Sequence, residues 1–225
     1  MPIHKLITNG CSFMTHRPKS NVYTSTAHLF EEKLGIPAWH LAQGGRGNLR
    51  LVVTTKLYFI QHPLELNGKT FCVIGWSETT RKDYIATSKW KALPHQDIGF
   101  RTYHTTDNEK FLSKQLDYDI EETEKVNFLS QVLDLQNYFK ANKIPYVMYN
   151  GMSNNTQSKS SSINILNDEV DKKRFFAFNE MNHFDYVREN NLAISNTDYH
   201  PTAEGHKIWF EMLWQFVEKN NCMES

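Results

Sequence analysis

The sequence predicts a three-layer α/β/α domain in which a mostly parallel sheet is covered by helices on both faces. Three observations carry this. Short apolar runs alternate with stretches of helical periodicity through the first third of the chain, the pattern of strand–helix–strand units. The same unit recurs later, where "KVNFLSQVLDLQNYFKANKI" (Lys125 to Ile144) is followed at once by the apolar run "PYVMYNGM". At 225 residues, 40% hydrophobic and 13% aromatic, the chain is long and apolar enough to fold around one core. A single domain over residues 1–225 is expected.

The elements follow in order. Lys5 to Thr8 is a first strand, halted by the turn-forming pair Asn9-Gly10. "NVYTSTAHLFEEKLG" spaces its apolar residues as a helix does and ends at Gly35, with Pro37 just beyond. Ala38 to Ala42 is a second strand. "NLRLVVTTKLYFIQHP" is a second helix closed by Pro63, and Phe71 to Ile74 a third strand. The last helix runs through "PTAEGHKIWFEMLWQFVEKNN", with Pro201 suited to its first turn and Trp209, Phe210, Leu213 and Phe216 on a core-facing stripe. Two stretches break this rhythm. Residues 79–124 are polar, aromatic-rich and too long for an ordinary connection, and read as an insertion or lid. "SNNTQSKSSSINILNDEV" reads as a Ser/Asn-rich surface loop.

Charge and cysteine usage exclude several function classes. Lys plus Arg and Asp plus Glu number 25 each, so no global attraction to nucleic acid or an anionic membrane is expected. The amino terminus lacks a signal-peptide layout and no window approaches the roughly 20 apolar residues of a membrane span, so a cytosolic protein is expected. Cys11, Cys72 and Cys222 are odd in number, widely separated and without Cys-x-x-Cys spacing, which reads as free thiols. With no His-x-x-x-His pair either, neither metal nor organic cofactor is expected.

Four segments fall at strand ends or before the last helix: "GCSF", "LAQGGRGN", "VIGWSETTR" and "TDYHPTAEGH". In a parallel sheet the carboxyl ends of the strands share one edge, so segments remote in sequence converge there. Ser12 is a weak nucleophile until a base takes its proton, and "DYHP" supplies a base, His200, with a carboxylate, Asp198, to orient it. Each segment also has a plainer explanation: Ser12 as a helix cap, Asp198 as an acid complementing a helix dipole, the glycines as a turn. The "GGRGN" loop offers unobstructed backbone N–H groups for an oxyanion, with Gly45 the chosen donor. It lacks the Lys-Ser/Thr ending of a phosphate loop and the Gly-x-Gly-x-x-Gly spacing. Arg81 offers a fixed cation for a substrate carboxylate or phosphate, or else pairs with Glu78. His206, further along the last helix, reads as a packed or capping residue.

Taken in order, these segments resemble the SGNH (GDSL-type) hydrolase family. "GCSF" is similar to that family's first block, with the nucleophile at Ser12, "LAQGGRGN" to the second, "VIGWSETTR" to the third, and "DYHP" to the last. More closely, "TNGCSF", "IGWS" with its following Arg, and "HPTAEGHKIW" resemble SGNH-like proteins of bacteriophages. The resemblance implies a flavodoxin-like sheet and a serine esterase or acyl hydrolase. Its oxyanion hole would comprise the Ser12 N–H, Gly45 and Ser77, with Asn48 and Arg81 beside the substrate, a small-molecule or carbohydrate ester. Three positions depart from the family pattern: Cys11 replaces an Asp, Ser77 replaces the oxyanion Asn, and Asp-x-His replaces Asp-x-x-His. The alternatives are a non-catalytic ligand-binding protein on the same fold and a thiol enzyme using Cys11.

Overall fold

A computed structural model describes residues 3–85, 100–104, 107–116 and 119–224. Five strands form a parallel sheet: β1 (Lys5–Gly10), β2 (Ala38–His40), β3 (Thr70–Trp76), β6 (Tyr146–Asn150) and β7 (Phe175–Phe176), in the order β2-β1-β3-β6-β7. This is the order of flavodoxin-like sheets, in which the chain reverses its winding direction between β2 and β3, beside β1.

Alternation along the strands divides the core in two. Ile7, Cys72, Ile74 and Met148 face one side, against Leu51 and Phe59 of α2 (Asn48–Gln61) and Val132 and Leu135 of α4 (Ile120–Ala141). Leu6, Phe71, Val73 and Val147 face the other, against Phe30 of α1 (Thr26–Leu34) and Trp209 and Leu213 of α7 (Ala203–Lys219). Both faces are dry, as a parallel sheet requires, and each large apolar side chain so buried contributes about 1.5–3 kcal/mol. The helices stop and start where their side chains dictate. Ser25 caps α1, Asp119 caps α4 and Thr202 caps α7, and Gly35 ends α1 in a left-handed conformation with φ +60°.

Several expectations are corrected. Thr202, whose hydroxyl accepts the Gly205 N–H at 3.1 Å, is the cap of α7, so Pro201 lies before the helix and pairs with Ala193 in an isolated bridge. The Ser/Asn-rich stretch holds α5 (Ser161–Glu169), because Ile163 and Leu166 recur at helical spacing and pack against the core. A short α6 (His183–Glu189) and the two-residue strand β7 were not foreseen. The irregular 79–124 stretch contains an antiparallel hairpin, β4 (Arg81–Ile85) with β5 (Phe100–His104), then α3 (Asp107–Gln115). Its last residues belong to the core helix, since α4 begins at Ile120 and buries Glu124 and Phe128. The middle of the expected lid, 86–99, lies outside the described residues.

A carboxylate fastens the hairpin to the start of α2. Asp83 of β4 accepts the backbone N–H of Gly47 at 3.1 Å and of Arg50 at 2.7 Å, capping α2, which has no side-chain cap of its own. A Cβ at Gly47 would sit 2.6 Å from that carboxylate. Among the described residues no helix is long and apolar enough to cross a membrane.

Candidate active site

β1 ends in a turn that close packing makes obligatory. A Cβ on Gly10 would lie 2.5 Å from Met14 Cγ and 2.8 Å from the Gly75 carbonyl oxygen, so only glycine fits. Asn9 braces the strand end, donating its amide to Thr54 at 2.8 Å and Thr55 at 2.9 Å on α2. The chain then turns through Cys11 into one turn of 3₁₀ helix, Ser12–Met14. As the first residue of that turn, Ser12 has a backbone N–H without a partner inside it. Ser12 is less exposed than its turn position suggested, at 7%.

His200 reaches Ser12 from the opposite end of the chain, its Nε2 lying 2.8 Å from Ser12 Oγ. The loop that carries it is tied down on both sides: Ile194 N–H donates to the His200 carbonyl at 2.9 Å and Thr202 N–H to that of Leu192 at 2.8 Å. Asp198 Oδ1 lies 2.6 Å from His200 Nδ1 and accepts the His200 backbone N–H at 3.2 Å. That second bond is an Asx turn, a local closure that Asp forms readily, and it aims the carboxylate at a ring only two residues on. Asp-x-His therefore suffices to bring the carboxylate to the ring.

Phe13 stacks on the His200 ring with centroids 5.0 Å apart. These groups line a cleft of about 200 Å³ whose walls include Arg81, Met152, Phe184 and Tyr199. Burial, together with the Arg17 and Arg81 cations, outweighs the pull of Asp198 and holds His200 below the ordinary imidazole value. Burial would raise the Asp198 carboxyl, but the two His200 bonds and the Arg17 charge outweigh it and bring it below the usual range. Ser12, His200 and Asp198 thus form a connected chain from hydroxyl to imidazole to carboxylate.

The other expected residues lie nearby in different roles. The loop after β2 continues alongside β1, with Leu41 N–H on the Thr8 carbonyl at 2.8 Å and Gln43 N–H on that of Gly10 at 3.2 Å. It brings Gly44 against the Ser12 turn, where a Cβ would come 3.6 Å from Ser12 Cβ. Gly45, next in the chain, takes a left-handed φ of +74°. Asn48 spends its side chain on the backbone of Ser77, donating to its carbonyl at 2.9 Å and accepting its N–H at 2.8 Å. Ser77 Oγ is buried with no hydrogen-bond partner among the described residues. Arg81 pairs with Glu78 at 2.8 Å, yet only 12% of its side chain is exposed and it lines the Ser12 cleft. Burial raises the Cys11 thiol above its usual pKa, the reverse of what a nucleophilic thiol needs. His206 is buried, accepting the Thr26 N–H at 3.2 Å. Among the described residues no group of His, Cys, Asp and Glu is arranged to hold a metal.

No protein-family model and no curated protein matches the chain in sequence. Solved structures do match it. TesA superposes with a TM-score of 0.55 at 8% identity, covering 96% of this chain and 99% of its own. The psychrotrophic esterase EstA from Pseudoalteromonas sp., in a structure inhibited by monoethylphosphonate, gives 0.50 at 9% identity over 96% and 97%. A candidate SGNH hydrolase from Slackia heliotrinireducens gives 0.50 at 10% over 96% and 100%. The chain has the SGNH-hydrolase fold. In this SGNH fold the sheet edge also gathers residues that the sequence did not single out: Gly44, Phe13 and Arg17. Gly44 was legible as half of the Gly-Gly pair. Phe13 and Arg17 carried no signal, one being an ordinary apolar neighbour of Ser12 and the other a basic residue before a proline.

Proposed function

We propose that the protein is a serine ester hydrolase with Ser12 as nucleophile, His200 as general base and acid, and Asp198 as the residue that orients His200. The observation that carries this reading is the unbroken chain Ser12 Oγ, His200, Asp198, with links of 2.8 and 2.6 Å, opening on a cleft. With the ring proton on Nδ1 and donated to Asp198, Nε2 accepts the Ser12 proton as Oγ attacks the ester carbonyl carbon. The imidazolium returns that proton to the departing alcohol oxygen, leaving an acyl-Ser12. A water molecule, deprotonated by the same Nε2, attacks the acyl carbon, and the proton then passes back to Ser12 as the acid leaves. We assign the developing oxyanion to the Ser12 backbone N–H and to Gly45 in the loop that brings Gly44 beside Ser12, with the fully buried, unpaired Ser77 hydroxyl as a further donor that has to turn toward the cleft to reach it.

The shape of the site favours a short acyl group on a polar alcohol. The Ser12 cleft is small and walled by Phe13, Met152 and Phe184. Arg81 also lines a second cleft of about 320 Å³, where Thr79, Asn127, Gln131 and Tyr84 offer hydrogen bonds to a hydroxyl-rich leaving group such as an acetylated carbohydrate.

The test is covalent. Incubation with a fluorophosphonate probe should add one phosphonyl group at Ser12, located by peptide mass, and Ser12→Ala should be unlabelled and inactive on p-nitrophenyl acetate. Loss of the nucleophile should lower turnover by several orders of magnitude. A folded protein that neither reacts nor hydrolyses esters would leave the ligand-binding alternative as the better reading.

A further inference from the structure

We infer that Arg17 is a positioning residue that holds the Asp198–His200 pair in its working arrangement. The inference rests on the hydrolase reading above. Arg17 comes from the loop after the Ser12 turn, 181 positions away from Asp198 in sequence, and its Nη2 lies 2.9 Å from His200 Nδ1 and 3.5 Å from Asp198 Oδ2. Asp198 Oδ1 meets the same Nδ1 at 2.6 Å.

These contacts compete. A neutral imidazole nitrogen either donates or accepts, and a guanidinium only donates. With the proton on Nε2, Arg17 donates to Nδ1 and the ring cannot take a proton from Ser12. With the proton on Nδ1, Asp198 accepts it, Nε2 is free for Ser12, and Arg17 turns to the carboxylate. The charge-assisted bond at 2.6 Å favours the second state, and a cation on Oδ2 keeps Oδ1 turned to the ring. Without such a hold Asp198, on a surface loop and 30% exposed in its side chain, keeps only its contacts to His200 and has water to compete for Oδ2.

Arg17 is itself held firmly. Its backbone N–H donates to the Val22 carbonyl at 2.7 Å and its carbonyl accepts from Val22 at 3.1 Å and Ser20 at 2.9 Å, closing a tight loop that begins with Pro18. The side chain does not line the Ser12 cleft, whereas Arg81 does. That separates a group acting through Asp198 and His200 from one that touches substrate.

A cation beside the ring also opposes formation of the imidazolium. Among the described residues, the charged or titratable groups around His200 are Asp198 on its own loop, Arg17 from the loop after the Ser12 turn, Arg81 from β4 and His206 from α7. Of these, Asp198 alone favours the protonated ring. Removing Arg17 therefore raises the pKa of His200, and since the neutral ring is the base, the acid limb of kcat/KM moves to higher pH.

The experiment compares the parent with Arg17→Gln and Arg17→Lys, using p-nitrophenyl acetate kinetics across pH and NMR titration of the His200 ring. Arg17→Gln should lower kcat by up to about 100-fold with KM changed less than about twofold, and move both the acid limb and the NMR midpoint upward. Arg17→Lys should restore the acid limb by restoring charge while recovering kcat only in part. An unchanged kcat and acid limb in Arg17→Gln overturns the inference, as does an effect confined to KM, which would make Arg17 a substrate contact. Should the parent hydrolyse no ester while the His200 midpoint still moves in Arg17→Gln, the hydrolase reading falls and the electrostatic hold of Arg17 on His200 stands.

Discussion

Asp198 meets His200 twice with the same Oδ1, which lies 2.6 Å from the ring Nδ1 and accepts the backbone N–H at 3.2 Å. With its carbonyl oxygen in the place of Oδ1, an Asn would put its amide nitrogen in the place of Oδ2, facing the Arg17 guanidinium, donor against donor. Turning the amide to relieve that contact puts the nitrogen against Nδ1, where it can only donate, which forces the ring proton onto Nε2. Asp198→Asn should therefore leave the fold and thermal midpoint nearly unchanged while kcat falls by about 1,000- to 10,000-fold, the size of effect expected for a wrong tautomer. Steady-state kinetics beside a melting curve check both halves. A loss below about tenfold would show that His200 is oriented by other groups.

How much of this was legible in the sequence depends on whether local pattern or tertiary contact decided the outcome. Strands β1, β3 and β6 were readable because they are buried on both faces and so appear as continuous apolar runs. That Ser12 meets His200 and Asp198 was readable because the end of β1 and the loop entering the last helix were expected at one edge of the sheet. The two-residue strand β7 was not, since Phe175–Phe176 is too short to have a period and pairs only because Met148 and Tyr149 lie alongside. α5 was hidden by a serine run whose polarity outweighed Ile163 and Leu166 in a local reading. Arg17 was invisible for a third reason: its meaning lies wholly in contacts with a loop at the far end of the chain.

Two buried histidines make stability depend on pH. Burial, His200 and His28 bring the His206 pKa down to about 3, and burial with His206 holds His183 well below the usual value. In the unfolded chain both titrate near 6.5, so below that pH the unfolded state binds more protons and stability falls with acidification. The contribution is fully present above about pH 6.5 and is lost at up to about 1.4 kcal/mol per pH unit for each histidine as pH drops. Denaturation midpoints measured from neutral to mildly acidic solution should fall accordingly. His206→Gln, which keeps an acceptor for the Thr26 N–H, should show a shallower decline.

The hairpin should loosen when its carboxylate is removed. Asp83 caps α2 through Gly47 and Arg50 and accepts the Thr102 hydroxyl at 2.5 Å, tying β4 and β5 to the helix at once. Asp83→Ala should cost about 0.5–2 kcal/mol, the range for loss of a helix cap. Hydrogen exchange locates the effect: amides of β4 and β5, expected to be less protected than those around Val73, should speed up further while β3 is unaffected. Equal protection of hairpin and central strand in the parent would make the hairpin part of the core rather than a lid.

Ser77 tests the composition of the oxyanion hole. Its hydroxyl is buried and unpaired, a state that usually costs about 1–3 kcal/mol. Removing a well-placed oxyanion donor typically costs about 2.7–4 kcal/mol of transition-state stabilisation, and a hydroxyl is shorter than the amide it stands in for. Ser77→Ala should therefore lower kcat by less than that range while leaving stability level or slightly higher, because an unsatisfied polar group has gone. Ser77→Asn should raise kcat if its amide reaches the oxyanion. The room it needs is bounded by Asn48 and by Asn154, whose amide donates to the Ser77 carbonyl at 2.7 Å. Rates for the three forms on one activated ester, each beside a melting curve, decide the matter. A Ser77→Ala enzyme as fast as the parent would assign the whole hole to backbone N–H groups of Ser12 and the Gly44–Gly45 loop.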